Sequence, residues 1–167
     1  KFLLNSLPYF TSKNYEAIIA SGQSAFLLSG IKTIFLKHLK RNPLSLNGLL
    51  AIREIYKLIG QEKPDALFLC STSAGIAGSI AGFLKKRLAE NYQLKTIYRI
   101  GGWAFNDPRS WWQKKLIILA EKFTSRFKNK IIVNSEYDLQ TAIKHKICPK
   151  NKLVKIYNGI DENKMDF

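Results

Sequence analysis

Lys63-Pro64-Asp65-Ala66-Leu67-Phe68-Leu69-Cys70-Ser71-Thr72-Ser73-Ala74-Gly75 is the stretch that decides the fold. Pro64 and Asp65 punctuate the chain. The unbroken apolar run Ala66 to Cys70 then suits a central strand covered on both faces. Ser71-Thr72-Ser73 supplies side chains that cap a helix start. The helix that follows carries Ala74, Gly75, Ala77, Gly78, Ala81 and Gly82, and these leave its backbone bare enough to approach either the sheet or a ligand. Strand, tight turn and helix in this order form the repeating unit of a parallel sheet.

The same alternation extends outward on both sides. Upstream, Lys1 to Phe10 reads as the end of a helix, and Tyr15 to Ala20 reads as a strand closed by Gly22. A short helix runs to Gly30, and Thr33 to Leu39 is a strand broken by Asn42-Pro43. Ser45 starts a helix with Leu49, Ile52, Tyr56 and Ile59 on one face, ending near Gly60. Downstream, Thr96 to Ile100 is a strand and Gly101 to Arg109 a loop. Ser110 and Gln113 have capping-box spacing for a helix to about Lys128. Ile131 to Val133 is a strand, Ser135 and Asp138 repeat the cap-and-acid spacing for a helix to His145, and Leu153 to Tyr157 is a last strand before Asn158-Gly159. The fold class that follows is α/β, a mostly parallel sheet with helices on both faces.

At 167 residues, 46% hydrophobic and 23% charged, the chain can bury a single core. Its longest apolar runs fall far short of the roughly 20 residues of a membrane-spanning helix. The opening on Lys1 without a methionine, and the stop at Phe167 just after a turn, read as a piece of a longer protein. Cys70 and Cys148 lack metal-ligand spacing and read as reduced thiols of a cytosolic protein. The net charge of +15, from 27 Lys and Arg against 12 Asp and Glu, points to nucleic acid, anionic lipid or phosphorylated substrates as partners. No basic tract with interleaved aromatics matches a nucleic-acid module, which leaves nucleic acid out of the expected partners.

In an open parallel sheet, ligands bind beyond the carboxyl ends of the strands. The candidate stretches are therefore Ser71 to Gly75, Arg99 to Asp107, Asn134 to Glu136 and Tyr157 to Asp161. Backbone N–H groups of Ser73, Ala74 and Gly75 at a helix start are placed to receive a phosphate. The loop Gly101-Gly102-Trp103-Ala104-Phe105-Asn106-Asp107-Pro108 pairs glycines with large aromatics. Either it lines a site, with Trp103 offering a flat face to a sugar or lipid-linked acceptor and Asn106 or Asp107 taking its hydroxyls, or its aromatics cover the sheet edge. His38 and His145 lie away from strand ends and read as surface residues, so no hydrolase triad forms and no metal ligand set exists. The helix from Trp111 mixes Trp111, Trp112, Leu116, Leu119, Phe123 and Phe127 with Lys114, Lys115, Lys122, Arg126 and Lys128. That pattern suits an anionic membrane surface or an ordinary core-packing helix.

These residues resemble the amino-terminal domain of the family-4 glycosyltransferases of GT-B architecture over nearly the whole chain. Phe2-Leu3-Leu4 to Pro8 is similar to the family's first helix end, Tyr15 to Gly22 to its second strand and glycine turn, and Lys63-Pro64-Asp65 to its approach to the central strand. Gly102-Trp103-Ala104-Phe105-Asn106 resembles the HGWxFN-type loop, Glu121 the glutamate of the next helix, and Asn134-Ser135-Glu136 the VSE-type turn. Ile156-Tyr157-Asn158-Gly159-Ile160-Asp161 resembles the closing IxNGID signature. The chain departs from the pattern at Gly101, where many members carry a histidine, and the first strand and glycine loop would lie upstream of Lys1.

The resemblance implies a Rossmann-like domain over residues 1–161, with 162–167 starting a linker to a donor-binding domain. It further implies retaining transfer from a nucleoside-diphosphate sugar without a metal or other cofactor, on the cytoplasmic side and possible only in the two-domain protein. Acceptor binding would fall to Ser71, Ser73, Gly75, Gly101, Gly102, Trp103 and Asn106, and the interdomain or phosphate-facing positions are Arg99, Ser135, Glu136 and Asn158. A non-catalytic carbohydrate- or anionic-lipid-binding module is the alternative.

Overall fold

A computed structural model describes residues 9–10, 12–22, 30–43, 45–89 and 92–159. Of the helix end expected over Lys1 to Phe10, only Tyr9 and Phe10 are described, and both are helical; the helix expected ahead of Gly30 lies outside the described residues. Strands β1 (Ile18–Ser21) and β2 (Lys32–Phe35) pair in parallel. A second parallel sheet takes β3 (Ala66–Leu69), β4 (Lys95–Arg99), β5 (Lys130–Val133) and β6 (Leu153–Lys155) in chain order. Between them run α1 (Leu46–Glu62), α2 (Thr72–Leu88), α3 (Trp111–Ser125) and α4 (Glu136–Lys144). This is the α/β, parallel-sheet architecture of a Rossmann-like domain.

Among the described strands of the four-stranded ladder, β3 stands at one end and pairs with β4. Leu69 and Leu67 lie beneath α2, against Gly78 and Gly82, and Phe68 between them is partly covered. The register Leu69↔Tyr98 and Tyr98↔Ile131 aligns one row of side chains on that face. Gly75 and Gly78 of α2, Ile117 of α3 and Ala142 of α4 all meet this row or its neighbours. The described helices after β3 thus share one face, as right-handed crossovers between successive neighbours require.

The glycines of α2 settle the alternative left open by the sequence. A Cβ on Gly75 would stand 2.6 Å from Tyr98 Cε2, and one on Gly78 would stand 2.5 Å from Leu69 Cδ2. The bare backbone serves close helix–sheet packing, and a ligand has no room there. A second core lies where α1 meets α2, formed by Leu36, Ala51, Ile55, Ile59, Ala77, Ala81 and Leu94. Helix α1 ends near Gly60, as its pattern predicts. The helix runs to Glu62 and turns at Lys63, whose φ of 45° is left-handed and whose N–H bonds Ile59 O at 3.0 Å. Pro64 then prevents continuation.

Buried polar groups concentrate under α3. Glu121 and Lys128, both 1% exposed, form an ion pair at 2.8 Å, and Tyr98 Oη donates to the other Glu121 oxygen at 3.0 Å. Lys128 Nζ also donates to Thr124 Oγ1 at 3.0 Å and sits 4.2 Å from the Tyr98 ring centroid. Burial pulls the Lys128 ammonium below its ordinary value, opposed by Glu121. Burial and then the Glu121 charge push the Tyr98 phenol well up. Lys128 is therefore withdrawn from the cationic surface expected of this helix, because its charge is spent on Glu121.

Candidate functional site

Because β3 to β6 are parallel, the segments following them emerge on one rim of the sheet. The rim carries Ser71, the loop Gly101 to Asp107, the turn Asn134 to Glu136 and Asn158. Three helices, α2, α3 and α4, begin there. Ser71 Oγ accepts from Ala74 N at 3.2 Å, and Ser135 Oγ accepts from Asp138 N at 3.0 Å while donating to Asp138 Oδ2 at 2.6 Å. The Ser110 N–H donates to Gln113 Oε1 at 3.3 Å, as the capping-box spacing anticipated.

Within the first candidate stretch only Ser71 is exposed. Ser73 is 7% exposed and donates to Arg41 O at 3.1 Å, and Gly75 packs against the Tyr98 ring. The proposed phosphate cradle at the start of α2 is corrected accordingly. Ala74 N is engaged by Ser71 Oγ, and Gly75 N by Ser71 O at 2.6 Å, so neither amide is offered to a ligand.

The loop after β4 divides into an outward and an inward part. Gly101 and Gly102 are exposed, with open space where a Cβ would stand, and Gly102 holds a φ of 126° that strains any other residue. Asn106 is exposed at the end of a turn closed by its N–H to Trp103 O at 2.9 Å. Trp103 and Phe105, at 2% and 3% exposure, stack on each other with centroids 5.4 Å apart. The indole Nε1 donates to Asp138 O at 2.9 Å. The reading in which Trp103 presents a flat face to an acceptor is corrected: the indole roofs the core and moors the loop to α4. Arg109 adds a second mooring through Nε to Ala104 O at 3.1 Å and an ion pair with Asp107 at 3.6 Å.

Arg99, 8% exposed at the end of β4, donates through Nη2 to Asn158 Oδ1 and so ties the ends of β4 and β6 together. Glu136 accepts from Lys155 at 2.5 Å and from Gln140 at 2.7 Å. Those two donors hold its carboxyl below the ordinary range. Lys155 was not anticipated as a rim residue. Nor was the outer face of α4, where Tyr137, Gln140, Thr141, Lys144 and His145 join Asn106 around a cleft of about 430 Å³. A signal existed, since positions 137, 140, 141 and 144 follow the i, i+3, i+4, i+7 spacing of one helix face, but their mostly polar character leaves no apolar stripe to mark it. The surface reading of the histidines needs amendment too. Both are partly buried, His145 edge-on to Phe105 at 5.2 Å.

The family model for Glycosyltransferase Family 4 matches residues 11–164. The chain belongs to glycosyltransferase family 4. No curated protein matched the sequence. The rim just described is therefore the rim of a sugar-transferring family's domain, and the match takes in every candidate residue on it. Ile160 and Asp161 of the closing signature lie outside the described residues. Among the described residues of this family-4 domain, no three His, Cys, Asp or Glu side chains gather as metal ligands, and no helix is long and apolar enough to cross a membrane.

Cys70, just beyond β3 in the same domain, has its thiol pushed up to about 11 from 9.0, chiefly by burial and against the pull of Arg99. A raised folded value means that the stability tied to the protonated thiol is present below pH 9.0 and lost as the pH rises through about 11. At pH 8 the thiolate fraction is about a hundredfold below that of an unperturbed thiol. Iodoacetamide is expected to label Cys70 slowly in the native protein and rapidly in urea, as mass spectrometry can follow. Rapid native labelling would contradict the burial assigned to it.

Proposed function

We propose that this domain binds the acceptor and walls the catalytic cleft of a retaining glycosyltransferase. The enzyme moves a sugar, of hexosyl type, from a nucleoside-diphosphate donor to a glycan or lipid-linked acceptor during cell-envelope polysaccharide or glycoconjugate synthesis on the cytoplasmic side. The observation that carries this reading is the convergence of the exposed Gly101-Gly102 and Asn106 loop, the Arg99–Asn158 tie and the Ser135–Glu136 turn on one rim of a family-4 domain.

The acceptor rests against Gly101, Gly102 and Asn106, with Ser71 flanking it. A second domain following residue 161 holds the donor across the cleft, so the domain by itself is inactive. Transfer needs no metal. It rests on holding the two substrates in register and on offsetting the charge that develops on the leaving diphosphate, for which Arg99 is the rim's held cation.

The test is sugar transfer by the full protein, offered a panel of nucleotide-sugars with a membrane lipid extract as acceptor. Incorporation of sugar into lipid supports the enzyme reading and names the donor. Absence of turnover with every donor, from a folded two-domain protein, would favour the non-catalytic carbohydrate- or lipid-binding module instead. In the active protein, Asn106→Ala should raise the acceptor KM about two- to tenfold through the loss of one hydrogen bond and leave donor hydrolysis unchanged. An unchanged acceptor KM would remove this loop from the acceptor site.

A further inference from the structure

Helix α3 is turned inside out relative to an ordinary surface helix. Its fully buried positions are Ile117, Glu121, Thr124 and Ser125, with Ile118 packed partly against the core. Its open side carries Trp111 at 69% exposure, Trp112 at 51%, Leu116 at 44%, Leu119 at 60% and Phe123 at 52%. At 100° per residue these five fall within an arc of about 140°, and Lys115, Lys122 and Arg126 fall in the same arc. Lys115 lies over the Trp111 ring at 4.7 Å.

The strip continues onto the neighbouring helix. Phe127 stacks on Phe83 of α2 at 4.2 Å and meets Phe123 edge-on at 5.2 Å, and beyond it Leu84 and Leu88 are 38% and 72% exposed. An apolar area of this kind on a folded domain marks an interaction surface.

Charge selects the occupant. Across α2 and α3 the single acidic residue is Glu121, and it is sealed against Lys128 in the core. The open face therefore presents Lys86, Arg87, Lys115 and Arg126 without a carboxylate among them. Paired tryptophans at one end, aliphatic and phenylalanine side chains along the middle and lysines or arginines interleaved throughout match the boundary between head groups and acyl chains in an anionic bilayer.

We propose that the open face of α3, extended by the end of α2, docks the protein on an anionic lipid bilayer. This deepens the proposed function, on which it rests for the acceptor alone. Trp111 begins α3 on the rim that carries the Gly101 to Asn106 loop, so docking places that loop beside the bilayer where a lipid-linked acceptor is held.

The experiment is vesicle co-sedimentation of the full protein, which requires no turnover and so separates this inference from the enzyme reading. Binding is expected to vesicles of phosphatidylglycerol and phosphatidylcholine, with a blue shift of tryptophan emission, and at least tenfold weaker binding to phosphatidylcholine alone. The exposed-face variant Trp112→Ser/Leu119→Ser/Phe123→Ser, checked for an unchanged melting temperature, should lose at least tenfold in affinity. Lys115→Glu/Arg126→Glu should abolish the preference for anionic lipid. Equal binding by the variants and the parent, or equal binding to both vesicle types, would overturn the proposal. So would a parent dimer that the serine variant turns into a monomer, because a second copy would then cover the face.

Discussion

Replacing Glu121 with alanine is expected to remove about 3–5 kcal/mol of unfolding free energy, because it leaves the Lys128 ammonium buried without its counter-ion. The loss is a large share of what holds a domain of this size together, about 5–15 kcal/mol. Tyr98 loses its acceptor at the same time. A paired replacement, Glu121→Leu with Lys128→Met, removes both charges and should recover most of the deficit. Urea unfolding of the two variants beside the parent checks both statements, and a single variant no less stable than the double would show that the pair is not acting as a pair.

The pH dependence of the single variant carries a sign. A lysine whose folded pKa is depressed destabilises the fold while charged, so stability returns as the pH climbs through the lowered folded value toward 10.5. The deficit of Glu121→Ala should therefore shrink as the pH rises toward 10.5, and it should persist at acid pH.

Trp103→Ala is expected to cost a further class of stability, about 3–5 kcal/mol for a truncated, fully packed aromatic. Two structures fail together in this variant: the stack with Phe105 is lost, and the Asp138 carbonyl in α4 loses its indole donor. Trp103→Phe retains most of the ring volume and should cost only about 1–3 kcal/mol, mainly through the carbonyl left unpaired. Thermal unfolding distinguishes the two. Any loss of transfer activity in Trp103→Ala then reports a loop set adrift. Asn106→Ala is the cleaner probe of acceptor contact, since Asn106 is exposed and its turn is closed by the backbone.

The order of strands and helices was legible because turn residues and apolar periodicity act locally. Ser71, Ser110 and Ser135 each start a helix where their side-chain chemistry placed them. What the sequence could not show was which neighbour each face would meet. Trp103 in a glycine-led loop reads equally as a sugar platform or a roof, and the outcome depended on Asp138, 35 positions away.

The same holds for Lys128, which belonged to the charged tally of α3 until its partner seven residues earlier turned out to face inward with it. Long-range partnership also hid the cleft on α4. At the rim, Arg99 and Asn158 were both marked from topology, and their mutual hydrogen bond spans 59 positions. The strand ends were thus legible as a place, and the division of that place into anchoring and open residues was not.

The four-stranded sheet is ordered as its strands occur in the chain, β3 to β6, and this bears on how the domain is made as well as on what it does. Each strand finds its partner in the one that left the ribosome just before it, separated by a single helix. The sheet can therefore lengthen during synthesis one strand at a time, without waiting for a distant segment and with modest loop-closure entropy at every step. The newest strand always leaves an edge ready for its successor. Emergence of β6 then completes a four-stranded ladder that has been assembling since β4 paired with β3, so that little of it waits as an unpaired edge during synthesis.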